Sequence, residues 1–279
     1  MLFTNDLAQH LSNVKLVMYA DDVQILDAGT PSNVLAIKNR IESDLSVLVQ
    51  WFTQNRLKIN PSKTEMTILK SSRQKTNTSF SIHFGGDAVS PSPSVKVLGI
   101  TIDSHLTWDS HVASVVQRCN MILVSLARMR NRLPTETKRL LIEALVFPHI
   151  KYCISVWGAC CIAQKKRIQK VLNFGARVVS GLSRRDHVTP VLNELGWKCV
   201  DDLIRDSDVA VVSRLLTSDS APQILRSKLV LSSDESARTT RATERGQLRL
   251  PRVRTEFGRR GFLFRACQHW NESSGARQQ

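Results

Sequence analysis

The 279-residue sequence has no apolar run approaching the roughly 18 residues that a membrane span needs. Its opening, MLFTNDLAQH, has no basic stretch leading into an apolar block, so it does not read as a secretory signal. These two absences set aside secreted and integral-membrane classes. Cysteine is sparse too. The six residues, Cys119, Cys153, Cys160, Cys161, Cys199 and Cys267, include no C-x-x-C pair. Most stand among apolar neighbours, where a free thiol packs as a small core side chain. A zinc site sketched from His149, Cys153 and Cys160 has a spacing that fits no usual ligand pattern. The expectation is reduced thiols inside a cell.

What remains is an ordinary globular composition, 42% hydrophobic and 23% charged, long enough for one large or two small domains. The charge is uneven. Lys and Arg number 39 against 24 Asp and Glu, a net of +15. Residues 1–110 hold ten of each sign, so the whole excess falls in residues 111–279. A neutral front joined to a basic rear suggests that the rear lies against a polyanion. A solvated basic surface is the plainer alternative.

Two β-prone runs, Val14–Tyr19 and Val23–Leu26, flank Ala20, Asp21 and Asp22. That pattern predicts a hairpin with two carboxylates at its tip. A helix should follow, with Thr30 as N-cap and Pro31 at its first position. Val34, Ile37, Ile41, Leu45, Leu48 and Phe52 would form its apolar face. Further strands are expected at Met66–Leu69, Phe80–Phe84 and Val95–Ile102, the last two joined across Gly85-Gly86 and the Ser90–Ser94 loop. From Trp108 helical periodicity takes over, at about 108–130, 135–147, 149–160 and 162–181. In the last of these, Ile168, Val171, Leu172, Gly175, Val178, Val179 and Leu182 share one sector. Lys166, Lys170 and Arg177 occupy the opposite side, as suits a helix lying along a nucleic-acid backbone. The tail from Arg238 to Arg265 carries nine arginines, Arg249, Arg252 and Arg254 among them, with Phe257, Phe262 and Phe264 interleaved. Arginines with aromatic rings grip phosphates and stack on bases. A basic terminus whose phenylalanines dock on the helical body is an equal alternative.

Tyr19-Ala20-Asp21-Asp22 resembles the metal-binding box of reverse transcriptases, and its surroundings extend the resemblance. Asn5-Asp6-Leu7 stands upstream, as in the reverse transcriptases of LINE-type (non-LTR) retrotransposons. Leu57–Glu65 is similar to that family's following motif. Val95–Asp103, with Leu106, Trp108 and His111, resembles its primer-grip region. Phe147-Pro148, Tyr152 and Val156–Gly158 resemble the helical segment beyond the palm, and Arg241 and Trp270-Asn271 the C-terminal stretch. The order is that of the family, from the YADD box onward.

The resemblance implies an α+β fold. Residues 1–105 would be a partial polymerase palm of antiparallel strands plus a helix, 106–185 a basic thumb-like helical region, and 186–279 a basic C-terminal helical region or tail. It implies RNA-directed DNA polymerase chemistry, in which two divalent metals bridge the attacking and leaving oxygens. Mg²⁺ (or Mn²⁺) takes one or two carboxylates plus substrate phosphates. Asp21 would be the principal ligand and Asp22 the supporting one, and Lys63 would steady or protonate the departing pyrophosphate or, as the plainer alternative, be an exposed lysine in a turn. Leu98-Gly99 would be the bend that admits a primer phosphate, or a plain bulge, with Leu98 in the core either way. Trp108 would contact nucleic acid or, as is commoner for a tryptophan at a helix start, serve packing, and His111 and His149 have no catalytic spacing. The implied partners are RNA template, DNA primer, their RNA–DNA duplex and dNTP, with no membrane, in the nucleus or cytoplasm. The family's other metal-binding Asp and its fingers should precede Asn5. No later F-x-D-like box replaces that Asp, because Phe84–Asp87 is a turn in the wrong order. Neither an RNase H pattern nor a Cys/His knuckle follows. The expectation is therefore a chain that binds metal weakly and is inactive alone. A non-catalytic nucleic-acid-binding remnant and a decayed transposon reading frame are the alternatives.

Overall fold

The hairpin predicted around the two carboxylates forms, with β1 (Lys15–Tyr19) antiparallel to β2 (Asp22–Leu26). Its register runs from Lys15 opposite Leu26 to Tyr19 opposite Asp22, which leaves Ala20 and Asp21 as a two-residue turn. The computed structural model describes residues 6–71, 80–129, 131–232 and 246–276. Asn5, Arg238, Arg241 and Arg245 lie outside them. Alternation along the strands sends Leu16, Met18 and Ile25 inward. They pack on α1 (Val34–Gln54), whose Leu45, Leu48 and Trp51 are buried. Full burial of such side chains stabilises by about 2 kcal/mol each. Ile41 and Phe52 support this core from its edge, and Leu7 and Ile82 complete it. Trp51 was absent from the expected apolar face. The helix also begins later than expected: Pro31–Asn33 is a 3₁₀ turn, and the Thr30 hydroxyl pairs with Ser32 instead of capping a backbone N–H.

The remaining strands differ from the sequence expectation. Phe80–Phe84 narrows to β3 (Ile82–Phe84), paired with β4 (Asp87–Val89) across Gly85 and Gly86, both at positive φ. Val95–Ile102 is two strands, β5 (Ser94–Val97) and β6 (Ile100–Asp103), folded back at Leu98-Gly99. Met66–Leu69 is not a strand. Met66 forms a single parallel bridge with Pro91, and Ser92 N donates to Met66 O at 2.7 Å. Pro91 and Pro93 have no N–H to continue a ladder there.

The chain divides into two compact units, Met1–Leu106 and Thr107–Gln279. The described part of the first holds three separate two-stranded antiparallel ribbons and α1; the described part of the second is almost wholly helical. The fold class is α+β. In unit 2, α2 (Asp109–Arg128), α3 (Thr135–Leu145) and α6 (Ile162–Ser180) pack together. Gly175 allows this approach, because a Cβ there would lie 3.3 Å from Trp197, 3.4 Å from Ile142 and 3.6 Å from Leu123. The helix expected at 149–160 is two short ones, α4 (Phe147–Lys151) and α5 (Ile154–Trp157), broken where Cys153 takes a φ of 48°. After α7 (Thr189–Glu194), α8 (Val200–Thr217) packs against α5 and α6, so unit 2 continues through residue 185 without interruption. The chain then runs through α9 (Gln223–Arg226) to α10 (Glu256–Arg260) and α11 (Phe262–Ala276). Helix α11 lies on α8 around Val212, Leu215, Leu248, Ala266 and Cys267. No helix among the described residues is long and apolar enough to cross a membrane.

Candidate functional site

The β1–β2 tip is held from its base. Asp44 of α1, 2% exposed, accepts from Asn13 N and Asn13 Nδ2 at 2.8 Å each and from Val14 N at 3.0 Å. Burial pushes its carboxyl pKa up, but the donors at Asn13, Val14 and Ser12 outweigh burial and hold it below the usual aspartate value. One turn earlier on α1, Arg40 closes on Asp27 with Nε at 2.9 Å and Nη2 at 2.8 Å. Asp27 also accepts from Ala28 N at 2.7 Å. The strand entering the hairpin and the strand leaving it are thus both tied to one helix face. Upstream, Trp51 Nε1 donates to Asp6 at 3.3 Å, and that bond leads in lowering the Asp6 pKa.

At the free end, Ala20 adopts a φ of 55°, a region that costs a non-glycine residue about 1 kcal/mol or more. Asp21 occupies the second turn position, and Asp22 is the first residue of β2, on the outer face beside Tyr19. The two carboxylates are therefore adjacent but not equivalent. Both are exposed, and neither makes a hydrogen bond or ion pair among the described residues. Two unpaired hard oxygen donors at a fixed tip fit part of an Mg²⁺ or Mn²⁺ shell. Among the described residues, no group of three His, Cys, Asp or Glu side chains could complete a protein-only site.

The other candidate residues of unit 1 occupy separate turns. Lys63 ends the 3₁₀ turn Pro61–Lys63 and is exposed. That turn abuts the β3–β4 tip, where a Cβ on Gly85 would approach Pro61 Cγ to 3.0 Å. Leu98-Gly99 is the tip of the β5–β6 hairpin, with φ of 46° and 83°. It is a tight turn with two left-handed residues, the type I′ pattern. Leu98 is 40% exposed, which corrects the expectation that it lies in the core.

In unit 2, α6 buries Ile168, Val171, Leu172, Gly175, Val178 and Val179, while Lys166 and Lys170 are exposed. Arg177 departs from that outward row. Its guanidinium donates to the backbone carbonyls of Ser183 and Asp186 at 3.2 Å each and to that of Asn173 at 3.4 Å. The tail divides similarly. Arg249, Arg252 and Arg254 are exposed along an extended segment, with half-buried Val253 between the last two. Arg265 is internal instead: it pairs with fully buried Asp208 at 2.7 and 3.1 Å and donates to Ser155 O at 2.7 Å. His269 Nδ1 lies 3.0 Å from the same carboxylate. Phe262 packs on the α8–α11 core while Phe257 stays exposed. Trp270 Nε1 donates to Gly246 O, and the Asn271 amide bonds both backbone groups of Leu248, so this pair fastens the tail.

Trp108 is buried, as expected of a packing residue. His111 is buried against Trp157, and burial, aided by Arg118, lowers its pKa. The six cysteines are free thiols. Burial pushes Cys119 and Cys160 up to about 11, so they remain protonated at neutral pH. Cys153 and Cys199 are exposed, departing from a core placement. Asp44 and Arg40 were missed in the sequence, where a charged residue on an amphipathic helix reads as solvated.

Residues 1–102 match the model of the reverse transcriptase (RNA-dependent DNA polymerase) family. The chain is similar to the probable RNA-directed DNA polymerase from transposon BS of Drosophila melanogaster, with 27% identity over 73% of this chain and 23% of that protein. It is similar to the RNA-directed DNA polymerase from mobile element jockey of Drosophila funebris, with 23% identity over 80% of this chain and 24% of that one. The probable polymerase from transposon X-element of Drosophila melanogaster is 25% identical over 60% of this chain and 18% of its own length. The chain spans about a quarter or less of these relatives. No solved structure matches it. Residues 1–102 thus carry the pattern of the reverse transcriptase family, and most of the chain is similar to the RNA-directed DNA polymerases of non-LTR retrotransposons.

Proposed function

We propose that the chain serves RNA-templated DNA synthesis, with Asp21 as principal and Asp22 as supporting ligand of a divalent metal. The observation that carries this reading is the β1–β2 tip itself, two exposed and unpaired carboxylates on a hairpin fastened at its base. When bound, Mg²⁺ or Mn²⁺ supplies charge stabilisation at the attacking and leaving oxygens. Asp21 and Asp22 hold it, and Lys63 offers a cation or proton to the departing pyrophosphate of a dNTP. Leu98-Gly99 borders the primer. Lys166, Lys170, Arg249, Arg252 and Arg254 lie along the phosphates of the RNA–DNA duplex. With no third acidic ligand grouped at the tip among the described residues, the isolated chain binds metal weakly and does not extend a primer.

Two measurements test this. Mn²⁺ should broaden amide resonances centred on Tyr19–Asp22, and broadening centred elsewhere would remove the site. Template-directed dNTP incorporation by the isolated chain, abolished in Asp21→Asn, would show instead that its metal centre is complete. A non-catalytic nucleic-acid-binding role is favoured by one separate observation, the confinement of the whole +15 to residues 111–279. Its mark is salt-sensitive duplex binding with no Mn²⁺ effect at the tip.

A further inference from the structure

Immediately after α6 the chain makes a β-turn, Ser183-Arg184-Arg185-Asp186, closed by Asp186 N donating to Ser183 O at 3.3 Å. The turn is tied at several other points. Ser183 N donates to the Asp186 carboxylate at 2.7 Å, and Arg185 N donates to the Ser183 hydroxyl at 3.3 Å. The Arg177 guanidinium bridges the two corner carbonyls, those of Ser183 and Asp186, at 3.2 Å each. Leu182 N is taken by the Ser180 hydroxyl, and Gly181 supplies the left-handed residue that ends the helix. The Asp186 carboxylate is thus engaged with the turn's own backbone.

Ser183 at the first corner is a favoured turn residue, while the two central positions accept most residue types, so the turn itself does not call for arginine at either. Here both are arginine. Arg184 and Arg185 are exposed, and their side chains make no hydrogen bond or ion pair among the described residues. Neither forming the turn nor packing it explains two adjacent guanidinium groups at its tip. The outward row Lys166 and Lys170 leads along α6 towards Arg177, and Lys166 to Arg177 spans about 17 Å of helix axis at 1.5 Å per residue.

We infer that the Arg184-Arg185 turn is a phosphate-backbone clamp for duplex nucleic acid, and that Arg177 is the residue that positions it. This rests on the nucleic-acid reading of unit 2 given above. Guanidinium groups suit phosphate because their planar donors match its oxygens. Holding the turn rigid before binding removes part of the ordering cost that a floppy basic loop incurs. Arg177 contributes by its fork geometry, reaching two carbonyls at once, and not as a phosphate contact.

The test uses the full chain and an RNA–DNA duplex, with binding measured across a salt series. The parent should show log K falling steeply with log salt. Arg184→Gln with Arg185→Gln should flatten that slope by about 1.8, at about 0.9 per phosphate contact. Its melting temperature and circular dichroism should match the parent, since both side chains are unpartnered. Arg177→Lys keeps the charge but cannot bridge both carbonyls, so it should weaken binding several-fold while leaving the slope unchanged. A steep parent slope retained in the double variant would overturn the clamp and leave the nucleic-acid reading standing on Lys166, Lys170, Arg252 and Arg254. A parent without salt-dependent duplex binding would overturn both. An Arg177→Lys variant that binds like the parent would remove Arg177 as the positioning residue.

Discussion

Asp44 shows how one side chain controls the placement of two others that it does not touch. Its carboxylate gathers the N–H groups at the start of β1, and bonds to a charged acceptor are worth about 1.5–3 kcal/mol. Asp44→Ala should cost about 3 kcal/mol in the unfolding free energy of unit 1, measured in urea, because the donors of Asn13 and Val14 lose their partner in a buried setting. The pH dependence has a definite sign. The folded-state pKa lies below the unfolded one, so the Asp44 contribution is complete above the ordinary aspartate value and is lost as pH falls through the lowered one. The parent and Asp44→Ala curves should therefore converge in strong acid, and a gap that stays constant to pH 2 would remove Asp44 as the cause. None of this was legible in the sequence. Asp44 stands between Ile41 and Leu45 on an amphipathic helix, where an acidic residue ordinarily faces water, and the backbone donors that use it arrive from about 30 residues away.

Single elements were readable where one periodicity dominated. Helix α6 buries the expected apolar sector apart from Leu182, which lies beyond its end and is half-buried, and the β1–β2 hairpin forms where two β-prone runs placed it. A continuous pattern misleads where a local backbone choice interrupts it. Val95–Ile102 is apolar enough for one strand, yet the left-handed pair Leu98-Gly99 folds it into two. Cys153 similarly divides an expected helix. The α8–α11 pair was legible only through the interleaved phenylalanines, of which Phe262 docks on this core, whereas Arg265 sits in a run of surface-type arginines and becomes internal through Asp208 and the Ser155 carbonyl. Arg265→Met should cost about 3–5 kcal/mol, since it strands a buried carboxylate. Adding Asp208→Leu should recover most of that loss, as an apolar pair of similar volume carries no unpaired charge. Chemical denaturation of the three proteins checks this, and a double variant no better than Arg265→Met would point to lost packing instead.

For the whole molecule, the charge step and the division into Met1–Leu106 and Thr107–Gln279 lie close together in the chain. Residues 107–279 expressed alone should keep most of the duplex affinity and its salt slope, because nearly all of the excess positive charge is there. Equal or stronger binding by residues 1–106 alone would contradict that. Charge distribution, the Tyr19–Asp22 motif and the apolar stripes are properties of local composition and spacing, so the sequence by itself determined the two characters of the chain, the adjacency of its two carboxylates and the elements that carry them. Which cations remain available to a polyanion was decided only by tertiary structure. Arg177 and Arg265 have the same side chain as Arg184 and Arg252, but folding brings carbonyls and a buried carboxylate to the first two and leaves the others in water. A long-range partner can consume a charge, and linear spacing does not record which residues meet.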